Sequence, residues 1–177
     1  MPAEQFVSEL NDQIGREYGA HQQYVAVAVY YDTLTLPQLA AFFYRQAIEE
    51  RGHAMMMVQY LLDAGETPTI PGVEAPKNGF ADVVEPIRIA LEQEKRVTDQ
   101  ISGLAAIARE ANDYVSEQFT QWVLKEQVEE VATMSDLLAV AGALGDGDRW
   151  SDIEDFIARE HPGDEGGDPT SPTPAGG

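Results

Sequence analysis

Apolar residues recur at helical spacing through four long segments of this 177-residue chain. The pattern predicts helices over about 4–32, 37–64, 82–111 and 113–144. Short breaks near residues 34 and 112 make each pair of helices a hairpin. The region between the second and third helices is much longer and carries helix breakers at Pro68, Pro71, Gly72, Pro76 and Gly79. Two hairpins joined by one long crossover, with no strand-period stretch of any length, predict an all-α four-helix bundle.

A shorter helix and a polar tail follow the fourth long segment. The string from Gly145 to Asp148 breaks that segment. The next residues form a short amphipathic helix, whose apolar side carries Trp150, Ile153, Phe156 and Ile157. From residue 161 to 177 the chain is acidic and rich in proline and glycine, which is typical of disorder. We therefore predict one folded domain over 1–160 and a disordered tail over 161–177.

The charge balance limits the partners of this chain. Its 31 acidic residues outnumber 11 lysines and arginines, which gives a net charge of −20. Phosphates of nucleic acid and anionic membranes are repelled, and cations are attracted. The chain has no cysteine, so any metal must be held by oxygen and nitrogen ligands, which suit Fe, Mn, Mg or Ca. The first residues lack the basic and apolar regions of a signal peptide, and we expect a cytoplasmic protein.

Polar side chains interrupt the apolar stripe of every long helix. The first stripe contains Glu17 and the third contains Glu94. The second contains the pair Glu50 and His53, and the fourth contains the pair Gln127 and Glu130. Each helix therefore turns one or two polar groups toward the predicted core.

These interruptions fall at matching heights along the bundle. Each lies 15 to 19 residues from the nearest hairpin turn, which corresponds to roughly 25 Å along a helix. A constant offset of 77 positions relates the two hairpins, from 17 to 94, from 50 to 127 and from 53 to 130. If the hairpins lie side by side, all six polar groups converge in the middle of the bundle.

Such a cluster of carboxylates must be neutralised. Burial and mutual repulsion both disfavour ionised carboxylates, and no lysine or arginine lies on the four stripes. Protons or bound cations remain, and a dinuclear metal site accounts for all the groups together. The alternative is that these residues reach solvent at the edges of the helices, in a metal-free structural or shell protein.

The residues around these positions resemble a known family. The strings Glu49-Glu50-Arg51-Gly52-His53 and Glu126-Gln127-Val128-Glu129-Glu130, with Glu17 and Glu94 at these distances, are similar to those of non-haem bacterial ferritins. The resemblance extends to about residue 160. It implies the ferritin-like fold, iron storage and detoxification, and oxidation of Fe(II) by dioxygen or peroxide. It also implies a shell-like homo-oligomer, of 24 subunits in this family, with ferric oxyhydroxide deposited in its cavity.

The resemblance assigns ligands to a pair of iron ions. Glu17, Glu50 and His53 match the ligands of the first iron. Glu50, Glu94 and Glu130 match those of the second, so Glu50 would bridge the pair.

The resemblance also assigns residues around the iron pair. Gln127 matches the residue that faces the oxygen-derived ligand, and Tyr24 matches a tyrosine close to the pair. Glu49, Glu126 and Glu129 match a third, looser iron site, which shares Glu130 with the pair. Trp122 matches a nearby tryptophan, for which we favour a core role.

Two departures from a sister family argue against haem. Haem-containing bacterioferritins have methionine directly after the glutamate of their first Glu-x-x-His motif, where this chain has Arg51. They also repeat that motif on the fourth helix, where this chain has Gln127 and Glu130. We therefore expect iron without haem.

A catalase-like or rubrerythrin-like oxidase stays open as an alternative enzyme function, although rubrerythrins usually carry a cysteine-ligated iron module.

Overall fold

The computed structural model describes residues 2–143, 150–163 and 170–176. Five helices occupy these ranges: α1 Glu4–Thr33, α2 Pro37–Asp63, α3 Glu85–Glu110, α4 Tyr114–Ala143 and α5 Trp150–Glu160. The described ranges contain no strand, so the predicted all-α bundle with a short fifth helix is confirmed. The predicted break at Gly145–Asp148 lies outside the described residues.

The two hairpin turns are tight and fall where the sequence breaks predict them. Thr35 follows α1 with φ 60°, and Asn112 follows α3 with φ 55°. Both residues occupy the left-handed region, which asparagine tolerates and which is unusual for β-branched threonine. Pro37 then begins α2 at a position where its missing N–H costs nothing. These turns hold α1 against α2 and α3 against α4, so each hairpin is a packed antiparallel pair.

The core consists of two apolar clusters with a polar layer between them. One cluster is centred on the aromatic residues Tyr24, Tyr31 and Phe43 and includes the buried face of α5. The other contains Phe6 and Leu10 and lies toward the opposite end of the bundle. On each long helix, the predicted polar positions fall between buried residues of the first cluster and those of the second: Glu17 on α1, Glu50 and His53 on α2, Glu94 on α3, and Gln127 and Glu130 on α4. The fold therefore brings the predicted polar groups to one level.

Helix α5 is held at the start of α2 by a carboxylate cap. The residue before α2, Leu36, provides no side-chain hydrogen bond to the exposed N–H groups of the first turn. Glu154 supplies it instead, accepting from the backbone N–H of Gln38 at 2.8 Å and of Leu39 at 2.9 Å. A negative carboxylate also interacts favourably with the partial positive charge at a helix N-terminus. Glu154 therefore links the fifth helix to the bundle.

The described parts of the C-terminal region contact α2. Arg45 donates a hydrogen bond to the backbone carbonyl of His161 at 2.8 Å. The backbone N–H of Ala175 donates to the carbonyl of Met55 at 3.1 Å. The division into a domain and a disordered tail stays a prediction.

Among the described helices, none combines the length and apolar character needed to cross a membrane.

Candidate metal centre

Three side chains of the first hairpin form a compact group in the polar layer. Glu17 of α1 and Glu50 and His53 of α2 each offer one ligand atom, and these atoms lie within 4.8 Å of one another. All three side chains are at most 3% exposed. The i, i+3 spacing of Glu50 and His53 places both on one face of α2. This geometry matches the predicted ligand set of the first iron.

The second hairpin adds two more buried carboxyl groups. Burial, followed by the nearby charge of Glu94, raises the pKa of Glu50 well above its usual range. Burial also raises the pKa of Glu94 to about 7, and Glu17 contributes to this shift. The pKa of Glu130 is raised well above its usual range by burial first and then by Glu49 and Glu94. The carboxyl groups of both hairpins are therefore buried and close enough to raise one another's pKa.

Tyr24 and Gln127 lie beside Glu94. The fully buried Tyr24 hydroxyl donates a hydrogen bond to Glu94 Oε1. Burial and the surrounding carboxylates raise the pKa of Tyr24 well above its usual range, which keeps the phenol protonated. The Gln127 amide oxygen accepts from Thr98 Oγ1 at 3.2 Å. The Gln127 amide nitrogen has no direct hydrogen-bond partner, but it lies close enough to Glu94 to lower the pKa of that carboxyl group.

Several buried carboxylate oxygens in this layer have no hydrogen-bond partner. Buried oxygens of this kind are Glu17 Oε2, Glu50 Oε2 and Glu94 Oε2. His53 Nδ1 lies 3.5 Å from Glu50 Oε2, too far to satisfy it. Among the described residues, no lysine or arginine is buried. Unpartnered buried carboxylate oxygens are costly unless a proton or a cation occupies the space between them. The donor set therefore fits hard divalent metal ions.

The three glutamates of the predicted third site are more exposed. Glu49 and Glu129 are exposed, whereas Glu126 is half-buried. Glu49 accepts from the amide of Gln46 at 2.8 Å and lies close enough to Glu130 to raise its pKa. Glu126 lies 3.8 Å from Lys125 Nζ. Glu49 therefore lies near Glu130. The compact group of Glu17, Glu50 and His53 includes none of these three glutamates.

Two further polar residues complete the layer, and sequence reasoning did not single them out. Gln13 is fully buried and donates to Glu17 Oε1 at 2.8 Å. The single hydroxyl hydrogen of Thr98 is shared between the Glu94 backbone carbonyl, at 2.9 Å, and the Gln127 amide oxygen, at 3.2 Å. Gln13 lies four residues before Glu17 on the same helical face, so its place beside Glu17 could have been predicted from the sequence. Trp122, interpreted as a core residue, packs edge-on against the His53 ring with centroids 6.4 Å apart.

This arrangement defines a class of protein. Helix bundles that hold a metal pair among carboxylates take one Glu from each of two helices and a Glu-x-x-His motif from each of the other two. Here α1 and α3 supply Glu17 and Glu94, and α2 supplies Glu50 and His53. On α4 the corresponding pair is Gln127 and Glu130.

Comparison with known proteins identifies the family within this class. A family model described as a ferritin-like domain matches residues 7–141. Ferritin BfrB of Mycolicibacterium smegmatis is 51% identical over 172 residues, covering 97% of this chain and 93% of the relative. The bacterial non-heme ferritin of Staphylococcus aureus is 36% identical over 146 residues, covering 82% and 88%. The chain belongs to the ferritin family.

A solved structure shows the same fold. It is described as a novel open pore ferritin from the hyperthermophilic archaeon Archaeoglobus fulgidus. The two folds superimpose with a TM-score of 0.86 at 27% identity, over 90% of this chain and 98% of that chain. The predicted ferritin-like bundle and the resemblance to bacterial ferritins are therefore both confirmed.

Proposed function

We propose that this protein stores and detoxifies iron by oxidising Fe(II) to Fe(III) in the polar layer of the bundle. Two Fe(II) ions are the substrate, and dioxygen or peroxide is the oxidant. The observation that carries this proposal is the set of unpartnered buried oxygens on Glu17, Glu50 and Glu94, with no buried lysine or arginine among the described residues to balance them.

Different residues of the layer bind each of the two Fe(II) ions. Glu17, Glu50 and His53 hold the first ion, because their ligand atoms already lie within 4.8 Å of one another. Glu94 and Glu130 hold the second, and Glu50 contacts both ions. Hard carboxylate oxygens favour Fe(III) over Fe(II), so this ligand set promotes loss of an electron from each ion to the oxidant. Iron displaces the protons that the apo-site carboxyl groups carry, and these protons leave the site.

The neighbours of the ligands hold them in place. Tyr24 donates to Glu94 and stays protonated, so it orients one oxygen of that carboxyl group and leaves the other for metal. Gln127, oriented by Thr98, presents its N–H groups toward the side of Glu94. There it can donate to an oxygen atom of the oxidant. The apolar clusters on both sides keep bulk water out.

We place this chemistry in a shell-like homo-oligomer of 24 subunits in the cytoplasm, with ferric oxyhydroxide as the stored product. Membership of the ferritin family supports the shell, and the net charge of −20 supports attraction of Fe(II) to it. We further propose that the shell carries no structural haem. Arg51, in the slot where bacterioferritins have methionine, is exposed and offers no soft ligand.

Aerobic addition of two Fe(II) per subunit tests the oxidation chemistry. We expect Fe(III) to form within seconds, much faster than in buffer alone, as followed by near-ultraviolet absorbance. His53→Ala should slow this phase, because it removes the single nitrogen ligand of the described group. The control is Glu92→Ala, which removes an exposed carboxylate from α3. Equal rates in His53→Ala and the parent protein would refute this site.

The proposed third iron site is tested by a triple variant, Glu49→Gln, Glu126→Gln and Glu129→Gln. These residues are turned about 100° from the ligand stripe and lie at its edge, so an ion there should bind more weakly than the pair. We expect the first turnover to stay fast, while the ratio of iron oxidised to oxygen consumed changes and repeated turnovers slow. Oxygen-electrode titration measures both quantities. An unchanged ratio and an unchanged rate of repeated turnovers would show that these glutamates are ordinary surface charges.

A further inference from the structure

Gln13 joins the buried metal ligands to the protein surface through two hydrogen bonds. Its amide nitrogen donates to Glu17 Oε1 at 2.8 Å. Its amide oxygen accepts from Arg16 Nη1 at 3.0 Å. Arg16 is held in turn by Glu9, at 3.1 Å from both terminal guanidinium nitrogens. The side chains of Arg16 and Glu9 are about a third exposed, whereas Gln13 is fully buried.

The charges at the two ends fix the orientation of the Gln13 amide. A positive guanidinium lies at the oxygen end, and a carboxylate lies at the nitrogen end. Flipping the amide would place its oxygen against Glu17 and its N–H groups against Arg16, which is unfavourable at both ends. Gln13 therefore offers only a donor to Glu17.

That donor selects which oxygen of Glu17 remains for metal. Oε1 is occupied by Gln13, and Oε2 is buried with no hydrogen-bond partner. A carboxylate fixed by one hydrogen bond loses less freedom when its second oxygen binds an ion. We propose that Gln13 is a positioning residue for Glu17 and that Arg16 sets the orientation of Gln13. This inference rests on the proposed function, since it assigns Glu17 to the first metal ion.

Co(II) binding to the assembled full-length protein tests the inference without oxidation chemistry. The relevant Co(II) is the fraction whose binding is lost in His53→Ala, measured by calorimetric titration and by the visible d–d spectrum. Gln13→Met keeps the length of the side chain and removes the donor. We expect it to weaken this Co(II) binding by about 10- to 100-fold, the range for lost partners of metal ligands, and to change the d–d band.

A matched control separates positioning from general packing. Gln59 donates to Asp63 at 2.7 Å with the same four-residue spacing, on the exposed side of α2. Gln59→Met should leave Co(II) affinity and spectrum unchanged. If Gln13→Met fails to assemble, Arg16→Met supplies the test from the surface. Removal of this positive charge should strengthen cation binding by Coulomb's law alone. Loss of the fixed orientation of the Gln13 amide should instead weaken it.

A double-variant cycle isolates the contribution of Arg16. We expect Arg16→Met to weaken Co(II) binding about threefold in the parent, a typical coupling for residues in contact, and to cause no weakening when Gln13 is already methionine. Parental affinity in Gln13→Met, or equal effects of Arg16→Met in both backgrounds, would overturn the proposal. Failure of the proposed function has a different signature, because Co(II) binding would then survive in His53→Ala.

Discussion

Replacing Glu50 with alanine should abolish rapid Fe(II) oxidation while the shell still assembles. Glu50 is the ligand that we assign to both ions, so its loss disrupts both halves of the pair. Even the outer partners of metal ligands contribute about 10- to 100-fold to affinity or activity, so we expect the initial rate to fall by at least about 100-fold. Stopped-flow absorbance at two Fe(II) per subunit measures this rate.

The fold should survive this substitution because the Glu50 carboxylate is a cost in the apo-protein. Its Oε2 is buried without a hydrogen bond, and neighbouring carboxylates oppose its ionisation. Circular dichroism and particle size should therefore match those of the parent. Glu92→Ala is again the matched control, an exposed glutamate two positions from Glu94. A parental rate in Glu50→Ala would contradict the dinuclear assignment.

The metal-free protein should lose stability as the pH rises from 5 to 8. Burial raises the pKa of Glu94 from 4.5 to about 7, so the folded state holds a proton that the unfolded chain releases. The stability linked to this group is fully present below the unfolded pKa and is lost as the pH rises through the folded one. Since one unit of pKa corresponds to 1.36 kcal/mol, the loss is about 3 kcal/mol per subunit. Glu50 and Glu130 shift in the same direction.

Thermal unfolding in the presence of a chelator, at pH 5 and pH 8, measures this effect. Glu94→Gln should show a smaller fall in Tm than the parent, because its amide does not ionise. Saturating Co(II) should restore the Tm of the parent at pH 8, since the ion stabilises the charged carboxylates that the apo-protein cannot accommodate. Identical pH dependence in Glu94→Gln and the parent would show that Glu94 does not carry the shift.

The long helices and the level of the polar layer could be predicted from sequence because both are periodic properties. A helix rises 1.5 Å per residue, so matching distances from two turns place Glu17 and Glu94 at one height. If the two hairpins lie side by side, the constant offset between them brings the remaining polar groups to the same level. The ferritin-like fold that follows is the one that the comparisons confirm.

Other features depend on side-chain directions, which spacing alone does not determine. Glu154 reaches the start of α2 from a helix more than 100 residues away in sequence. The orientation of Gln13 depends on Arg16, an ordinary surface residue by its sequence context. Glu49 and Glu129 are exposed, whereas Glu50 and Glu130, beside them in sequence, are buried. Neighbours along a helix point in different directions, so adjacency in sequence does not predict equal burial.

Retention of iron by the assembled protein tests the central claim most directly. Purified apo-protein is loaded aerobically with about 100 Fe(II) per subunit, far beyond the two ions that one bundle can bind at its polar layer. It is then separated by size-exclusion chromatography with iron analysis and light scattering on each fraction. We predict that most of the iron elutes as Fe(III) with a large, closed oligomer. A monomer or dimer carrying at most a few iron ions per subunit, with the remaining iron precipitated, would contradict the storage function.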